Sequence, residues 1–313
     1  MHSQLFRLKL KSPLNLKRRV LTSSDPNYYQ GELIAVSNMQ GQTGYGEVVG
    51  SRKLAEELAC LHLTLLETHF KWPNIKIPVA AMLESIQIQE AQKLVAEGFQ
   101  TLKFKIGPNW AQDAELLSEV RLKVGHHIDI RLDANQRFDL KTAVRFGKRV
   151  SKLGIAYFEE PLRNILEIPE FVQRTGIWVA LDESLIPPFE QRGGEGILEG
   201  VSTYALKPFL MPDLESIFSC IQFARQHQIK IAICSAFESG YGLTWLAFLA
   251  ALIQEQPMAA GLSTYRWFAE DLIRPAFSVV NGCALFSQLH EPLFHEHASF
   301  LLDGQSDLSK TVL

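Results

Sequence analysis

Thr101-Leu102-Lys103-Phe104-Lys105-Ile106-Gly107 sets two lysines one residue apart in a short apolar run that ends on glycine. Successive side chains on a strand point to opposite faces, so Lys103 and Lys105 share one face while Leu102, Phe104 and Ile106 take the other. Two neighbouring ammonium groups are costly. Like charge and partial burial both favour the neutral amine, and would bring a lysine from about 10.4 toward the roughly 7–8 that suits a general base. A surface strand with solvated lysines would explain this stretch if it stood alone, but the chain beyond it repeats the pattern.

From about Ile77 a short apolar strand is followed by an amphipathic helix again and again. The strand ends fall near Leu83, Lys105, Asp133, Glu159, Asp182, Lys207, Ser235 and Leu262; from Lys105 onward they are 28, 26, 23, 25, 28 and 27 residues apart. One strand, one helix and two loops fit that period, and eight such units suit a parallel (β/α) barrel of the TIM type rather than an open sheet. Helices are expected at 111–124, 140–153, 214–226 and 243–253. Before the barrel, Leu5–Leu10, Gly31–Val36 and Gly44–Val49 read as strands, and Leu54–Phe70 as one amphipathic helix ended by Trp72-Pro73. The expected organisation is an α+β unit over 1–76, the barrel over 77–265, and a last helix and tail over 266–313, part of which packs back on the N-terminal strands.

At 313 residues, 47% apolar and 21% charged, the chain can bury a large core. A net charge of −3 without a long basic tract argues against nucleic acid as the main partner. The four cysteines form no Cys-x-x-Cys pair and read as buried free thiols of a reducing compartment. The N-terminus lacks the apolar core of a signal peptide, and the most apolar run, Leu243–Ile253, falls short of the ~18 residues a membrane span needs. The expectation is a cytoplasmic protein with no membrane partner; oligomeric state is not legible.

Barrel enzymes place their chemistry at the carboxyl ends of the strands. Here those ends carry Lys103 and Lys105, then Asp133, Glu159 and Asp182 on successive strands, then Lys207. Three carboxylates brought to one point repel each other unless a cation holds them. All-oxygen ligation suits a hard ion, Mg²⁺ first and Mn²⁺ second, and the lack of cysteine and histidine in the set argues against zinc. A divalent ion between two lysines is suited to removing a proton next to a carboxylate, so a small-molecule carboxylate is the expected substrate.

From Leu83 to about Leu262 the chain resembles the enolase superfamily, in the muconate-lactonizing subgroup, whose mark is Lys-x-Lys on the second barrel strand and a lysine on the sixth. The resemblance implies a modified barrel, (β/α)7β-like, under an α+β capping domain formed mainly by the N-terminal segment. It also implies Lys105 as the base, Lys103 as its companion, Asp133, Glu159 and Asp182 as metal ligands, and Lys207 on the opposite face. Ser235-Ala236-Phe237-Glu238-Ser239-Gly240-Tyr241-Gly242-Leu243 and Gly261-Leu262-Ser263-Thr264 look most like the o-succinylbenzoate synthases, and Arg18-Arg19 fits that family's N-terminal loop. The Asp-x-Asp that dipeptide epimerases usually carry on the eighth strand has no counterpart here. The implied reaction is dehydration of 2-succinyl-6-hydroxy-2,4-cyclohexadiene-1-carboxylate to o-succinylbenzoate, a step toward menaquinone or phylloquinone; racemisation of N-succinylamino acids is the rival. The implied substrate contacts are Ser235, Gly261, Asn135 and Arg19. One feature departs from the family: a single helix stands between Glu47 and the first barrel strand, where relatives usually carry another.

Other motifs are set aside. Gly41, Gly44 and Gly46 give no Gly-x-Gly-x-x-Gly ahead of a helix, and His290-Glu291-Pro292-Leu293-Phe294-His295 has i, i+5 spacing with a proline inside instead of His-Glu-x-x-His. Ser184 and Ser235 have no histidine partner that would make either a nucleophile.

Overall fold

The computed structural model describes residues 1–11, 26–185, 199–253, 258–289 and 292. At the N-terminus β1 (His2–Lys9), β2 (Tyr28–Ser37) and β3 (Thr43–Val48) form an antiparallel meander. Helix α1 (Arg52–Glu67) lies across it, started by Ser51, whose side chain accepts from the Leu54 N–H. Its buried face, Leu54, Ala55, Leu58, Ala59, His62 and Leu63, follows helical spacing. The helix meets β3 at glycines: a Cβ at Gly46 would run into the Ala55 carbonyl, and one at Gly44 into the Ala59 carbonyl. Gly46→Ala is therefore expected to cost about 2 kcal/mol by overpacking against backbone that cannot swing aside. A urea midpoint within error of the parent would remove this account.

The chain then runs through β4 (Ile75–Pro78) and β5 (Ala81–Leu83) into the repeat: α2 (Ile88–Ala96), β6 (Thr101–Lys105), α3 (Trp110–Val124), β7 (Asp129–Asp133), α4 (Leu140–Val150), β8 (Ile155–Glu159), α5 (Ile168–Thr175), β9 (Val179–Leu181), β10 (Val201–Leu206), α6 (Leu214–Gln226), β11 (Lys230–Ile233) and α7 (Gly240–Ile253). β5 to β11 form one parallel sheet in sequence order. Its two edges are joined by the chain around Ala260: Ala260 N donates to Pro78 O (2.8 Å) and its carbonyl accepts from Ala80 N (2.9 Å), while Gly261 N donates to Ile233 O (2.8 Å) and Ser235 N to Gly261 O (3.0 Å). The eighth strand thus closes the barrel, though only as isolated bridges to Val79 and Cys234. Leu83, Lys105, Asp133 and Glu159 end their strands as expected, whereas Asp182 and Lys207 lie one residue past β9 and β10, and Ser235 two past β11.

No α-helix follows residue 265 among the described residues. Ser263–Trp267 is a 3-10 turn, and β12 (Val279–Val280) and β13 (Cys283–Phe286) make a hairpin that pairs with β4. The Asn281-Gly282 turn between them, with φ of 50° and 68°, explains the difference: two left-handed residues at that place favour a hairpin and stop a helix. Leu10 bridges Phe268, so the chain beyond the barrel returns to the N-terminal sheet. One apolar cluster runs from Phe6 and Leu33 through the barrel to Phe286. All four cysteines are free; Cys220 and Cys234 are buried as expected, but Cys283 is half-buried and Cys60, on α1, is exposed. No helix of the described residues is long and apolar enough to cross a membrane.

The N-terminal unit sits on the loops after the sixth and seventh barrel strands. Gly50 N donates to Phe209 O (3.0 Å), Leu214 N to a Glu57 carboxyl oxygen (2.7 Å) and the Tyr241 hydroxyl to Tyr45 O (2.7 Å). Glu47, fully buried at the end of β3, accepts from Ser239 N (2.9 Å), Ser239 Oγ (2.7 Å) and Gly242 N (3.1 Å) at the start of α7.

Candidate active site

Register places the site residues in rows inside the barrel. Lys105 on β6 pairs with Asp133 on β7, which pairs with Glu159 on β8; one step lower lie Lys103, Arg131 and Tyr157. Because β6 buries Leu102 and Phe104 toward the surrounding helices, both lysines are left to face the interior. Lys103 Nζ lies 2.6 Å from Glu159 Oε1 and 3.0 Å from Asp133 Oδ2, and Lys105 Nζ lies 2.7 Å from the same Asp133 oxygen. Lys207, four strands around the barrel from β6, pairs with Asp182. The three carboxylates are 1%, 0% and 3% exposed, so none is a surface ion pair.

The electrostatics reverse one expectation. Burial alone would favour the neutral amine at Lys103, but Asp133 and Glu159 outweigh it and hold the ammonium well above the usual lysine range. At Lys207 burial is likewise overcome, by Asp182. Burial raises Asp133 too, yet Lys103 and Lys105 together hold its carboxyl below the ordinary range. Glu159 goes the other way: burial, with Asp133 and Asp182 adding to it against the pull of Lys103, pushes it up to about 8.

As they lie, no three Asp, Glu, His or Cys side chains among the described residues are grouped closely enough to hold one metal ion; each of the three carboxylates is turned to a lysine. The donor set nonetheless fits a hard divalent cation. It is all oxygen, it is buried, Glu159 feels both neighbouring carboxylates, and among the described residues the buried Glu159 Oε2 has no hydrogen-bond partner.

The loops above the strand ends are stitched to one another. Asn135 and Gln136, after β7, both take positive φ (44° and 59°), as does Glu160 after β8 (42°). Asn135 Oδ1 accepts from Lys105 Nζ at 2.8 Å and Asn135 Nδ2 donates to Glu183 Oε1 at 2.8 Å, so both ends of the amide expected to meet substrate are already engaged. Glu160 accepts from Asp182 N and Ser184 N, each at 2.8 Å, and from Ser184 Oγ (2.8 Å) and Gln136 Nε2 (3.0 Å). Ser235 is 7% exposed, its hydroxyl 2.5 Å from Glu238 Oε2 and 2.6 Å from Thr264 Oγ1, and the Gly261 N–H and carbonyl serve the barrel ladder. Arg19 lies outside the described residues, as does His290–His297 apart from Pro292.

Glu160, Glu183 and Arg131 escaped the sequence reading. The doubled acids Glu159-Glu160 and Asp182-Glu183 were a usable signal: on an alternating strand only one of each pair can face the interior, which leaves the other for the loop above. Arg131, two residues before Asp133 and hence on the same face, was legible by the same rule; it lies under the site, over the Tyr157 ring at 5.1 Å, and donates to Ala259 O at 2.7 Å.

Residues 87–290 match the family described as enolase C-terminal domain-like. Among curated relatives, the chloroplastic protein PHYLLO of Arabidopsis thaliana is 34% identical over 241 residues, 69% of this chain but only 14% of that much longer protein. The o-succinylbenzoate synthase of Thermobifida fusca is 27% identical over 259 residues, 78% of each chain. The solved dipeptide epimerase of Cytophaga hutchinsonii, complexed with Mg and the dipeptide D-Ala-L-Val, superposes with a TM-score of 0.76 over 96% of this chain and 98% of its own at 19% identity, which speaks for the fold. With the matched span covering most of its length, and the barrel, the cap and the row of strand-end charges in place, this chain belongs to the enolase C-terminal domain-like family of the enolase superfamily.

Proposed function

We propose that the chain dehydrates 2-succinyl-6-hydroxy-2,4-cyclohexadiene-1-carboxylate to o-succinylbenzoate, feeding menaquinone or phylloquinone synthesis, with Mg²⁺ as cofactor. The observation that carries the chemistry is the row of buried carboxylates with lysines on both sides, Lys103 and Lys105 on β6 and Lys207 after β10. The choice of substrate is supported by the synthase named among the relatives and by the absence of an Asp-x-Asp after the eighth strand. Asp133, Glu159 and Asp182 would hold the ion. Held by them, Mg²⁺ would supply positive charge that favours the enolate.

The remaining steps belong to the chain. Lys105 takes the proton on the carbon α to the ring carboxylate, and the C–H electron pair moves into the carboxylate as the enolate; as the enolate collapses, that pair becomes the new ring double bond and the C–OH bond breaks. The proton on Lys105 Nζ then passes to the departing hydroxide, giving water and the aromatic product from one face. Lys207 stays charged and faces the enolate from the other side, held in its ammonium form by Asp182. Glu47 fixes the Ser239 loop, so the wall after the seventh strand is set by the cap.

The test is product formation by the purified chain with Mg²⁺ and again after EDTA. Metal-dependent o-succinylbenzoate is expected. α-Proton exchange on N-succinylamino acids without aromatic product would move the assignment to the racemase. Silence with both would remove the choice of substrate.

A further inference from the structure

We propose that Glu183, acting through Asn135, is a positioning residue that aims Lys105; this rests on the reading of Lys105 as the base. Lys105 Nζ has two hydrogen-bond partners among the described residues, Asp133 Oδ2 at 2.7 Å and Asn135 Oδ1 at 2.8 Å. The second is the end of an amide whose other end donates to Glu183 Oε1 at 2.8 Å. Lys105 Nζ donates to the amide oxygen and Glu183 Oε1 accepts from the amide N–H₂, so both hydrogen bonds hold the amide in one orientation. Turned over, its N–H₂ would face the lysine N–H donors and its carbonyl the carboxylate oxygen, losing both hydrogen bonds. Glu183 therefore decides which end of Asn135 the lysine meets.

The backbone supports this. Asn135 N donates to Asp133 Oδ1 at 2.9 Å, and Asn135 and Gln136 are kept in the left-handed region while Gln136 N donates to Glu160 O at 2.7 Å. Side chains other than glycine rarely adopt that conformation, and such residues persist where surrounding bonds over-determine them. Among the described residues Glu183 has no cation partner, and its second oxygen is buried without a hydrogen bond. The line Glu183, Asn135, Lys105 joins the ends of β9, β7 and β6, passing over β8, and sits beside the ligand carboxylates without belonging to them.

The test is a double-mutant cycle of Glu183→Ala and Asn135→Ala, with crystal structures of the single variants. Glu183→Ala is expected to lower kcat by roughly 10- to 100-fold, the penalty of a reacting group misplaced by about 1 Å, with KM changed less than about twofold. The primary deuterium isotope effect on kcat should rise, because proton removal becomes slower than the other steps. If Glu183 acts only through Asn135, the double variant is no slower than Asn135→Ala alone. Mg²⁺ affinity by titration calorimetry should hold, which separates aiming the lysine from disturbing Asp133 or Asp182. Additive effects, a fall in Mg²⁺ affinity matching the fall in kcat, or a Glu183→Ala structure with Asn135 and Lys105 unmoved would each overturn the proposal. A parent enzyme inactive on every substrate tried would sink the reaction instead, and the variant structures would still decide the positioning.

Discussion

Lys105→Ala is expected to lose turnover by about 10³- to 10⁴-fold, the upper part of the range for a positioned general base. The variant should still fold. Asp133, which would otherwise become a buried unpaired carboxylate, keeps Lys103 at 3.0 Å, and Asn135 keeps Glu183. Lys105→Arg is the sharper control. It leaves a cation beside Asp133 but cannot present a neutral base near neutral pH, so it should be about as inactive as the alanine variant. Product formation and thermal melting of both variants check this. Activity within tenfold of the parent in a well-folded variant would take the base away from Lys105.

Arg121→Ala should give the largest loss of stability of any substitution discussed, about 4 kcal/mol. The side chain lies on α3, 4% exposed, and its guanidinium donates to four carbonyls: Leu153 (2.7 Å), Gly125 (2.6 Å), Ile128 (2.7 Å) and Gly154 (3.1 Å). These belong to the loops that enter β7 and β8 from the end of the barrel opposite the site. Truncation removes four charge-assisted hydrogen bonds and leaves carbonyls inside with nothing to accept from. Chemical denaturation should show the loss, while kcat of the folded fraction stays near that of the parent. A loss under about 1 kcal/mol would mean that water replaces the guanidinium.

The residues that end apolar runs were the most legible. Lys105, Asp133 and Glu159 close their strands where the spacing places them, because a parallel barrel with one helix per crossover has little freedom in period. Helix α6 matches its expected bounds because Asp213 caps its start and its apolar face is regular. Contacts between distant segments were not legible. Nothing near Glu47 announces that it docks on Ser239, 192 residues away, and no periodicity signals that Arg131 reaches Ala259. That Asn135 is held between Lys105 and Glu183 is not legible either, because Glu183 is 48 residues away in sequence. The charge on Lys103 differs from the expectation for a related reason, since adjacency along a strand counts like charges but not the carboxylates that neighbouring strands bring in.

The seam at Ala260 bears on how the molecule is made. Val79 and Cys234 find their bridging partners only in residues 260 and 261, so during synthesis the curled sheet has nothing to close it until almost all of the barrel has been translated. Until then the outer edges of β5 and β11 carry unpaired backbone groups on strands that are largely buried and apolar in the finished molecule. Such edges invite pairing with another chain. A chain truncated before residue 260 should therefore be helical and collapsed yet prone to associate, whereas the full chain should not associate through those edges.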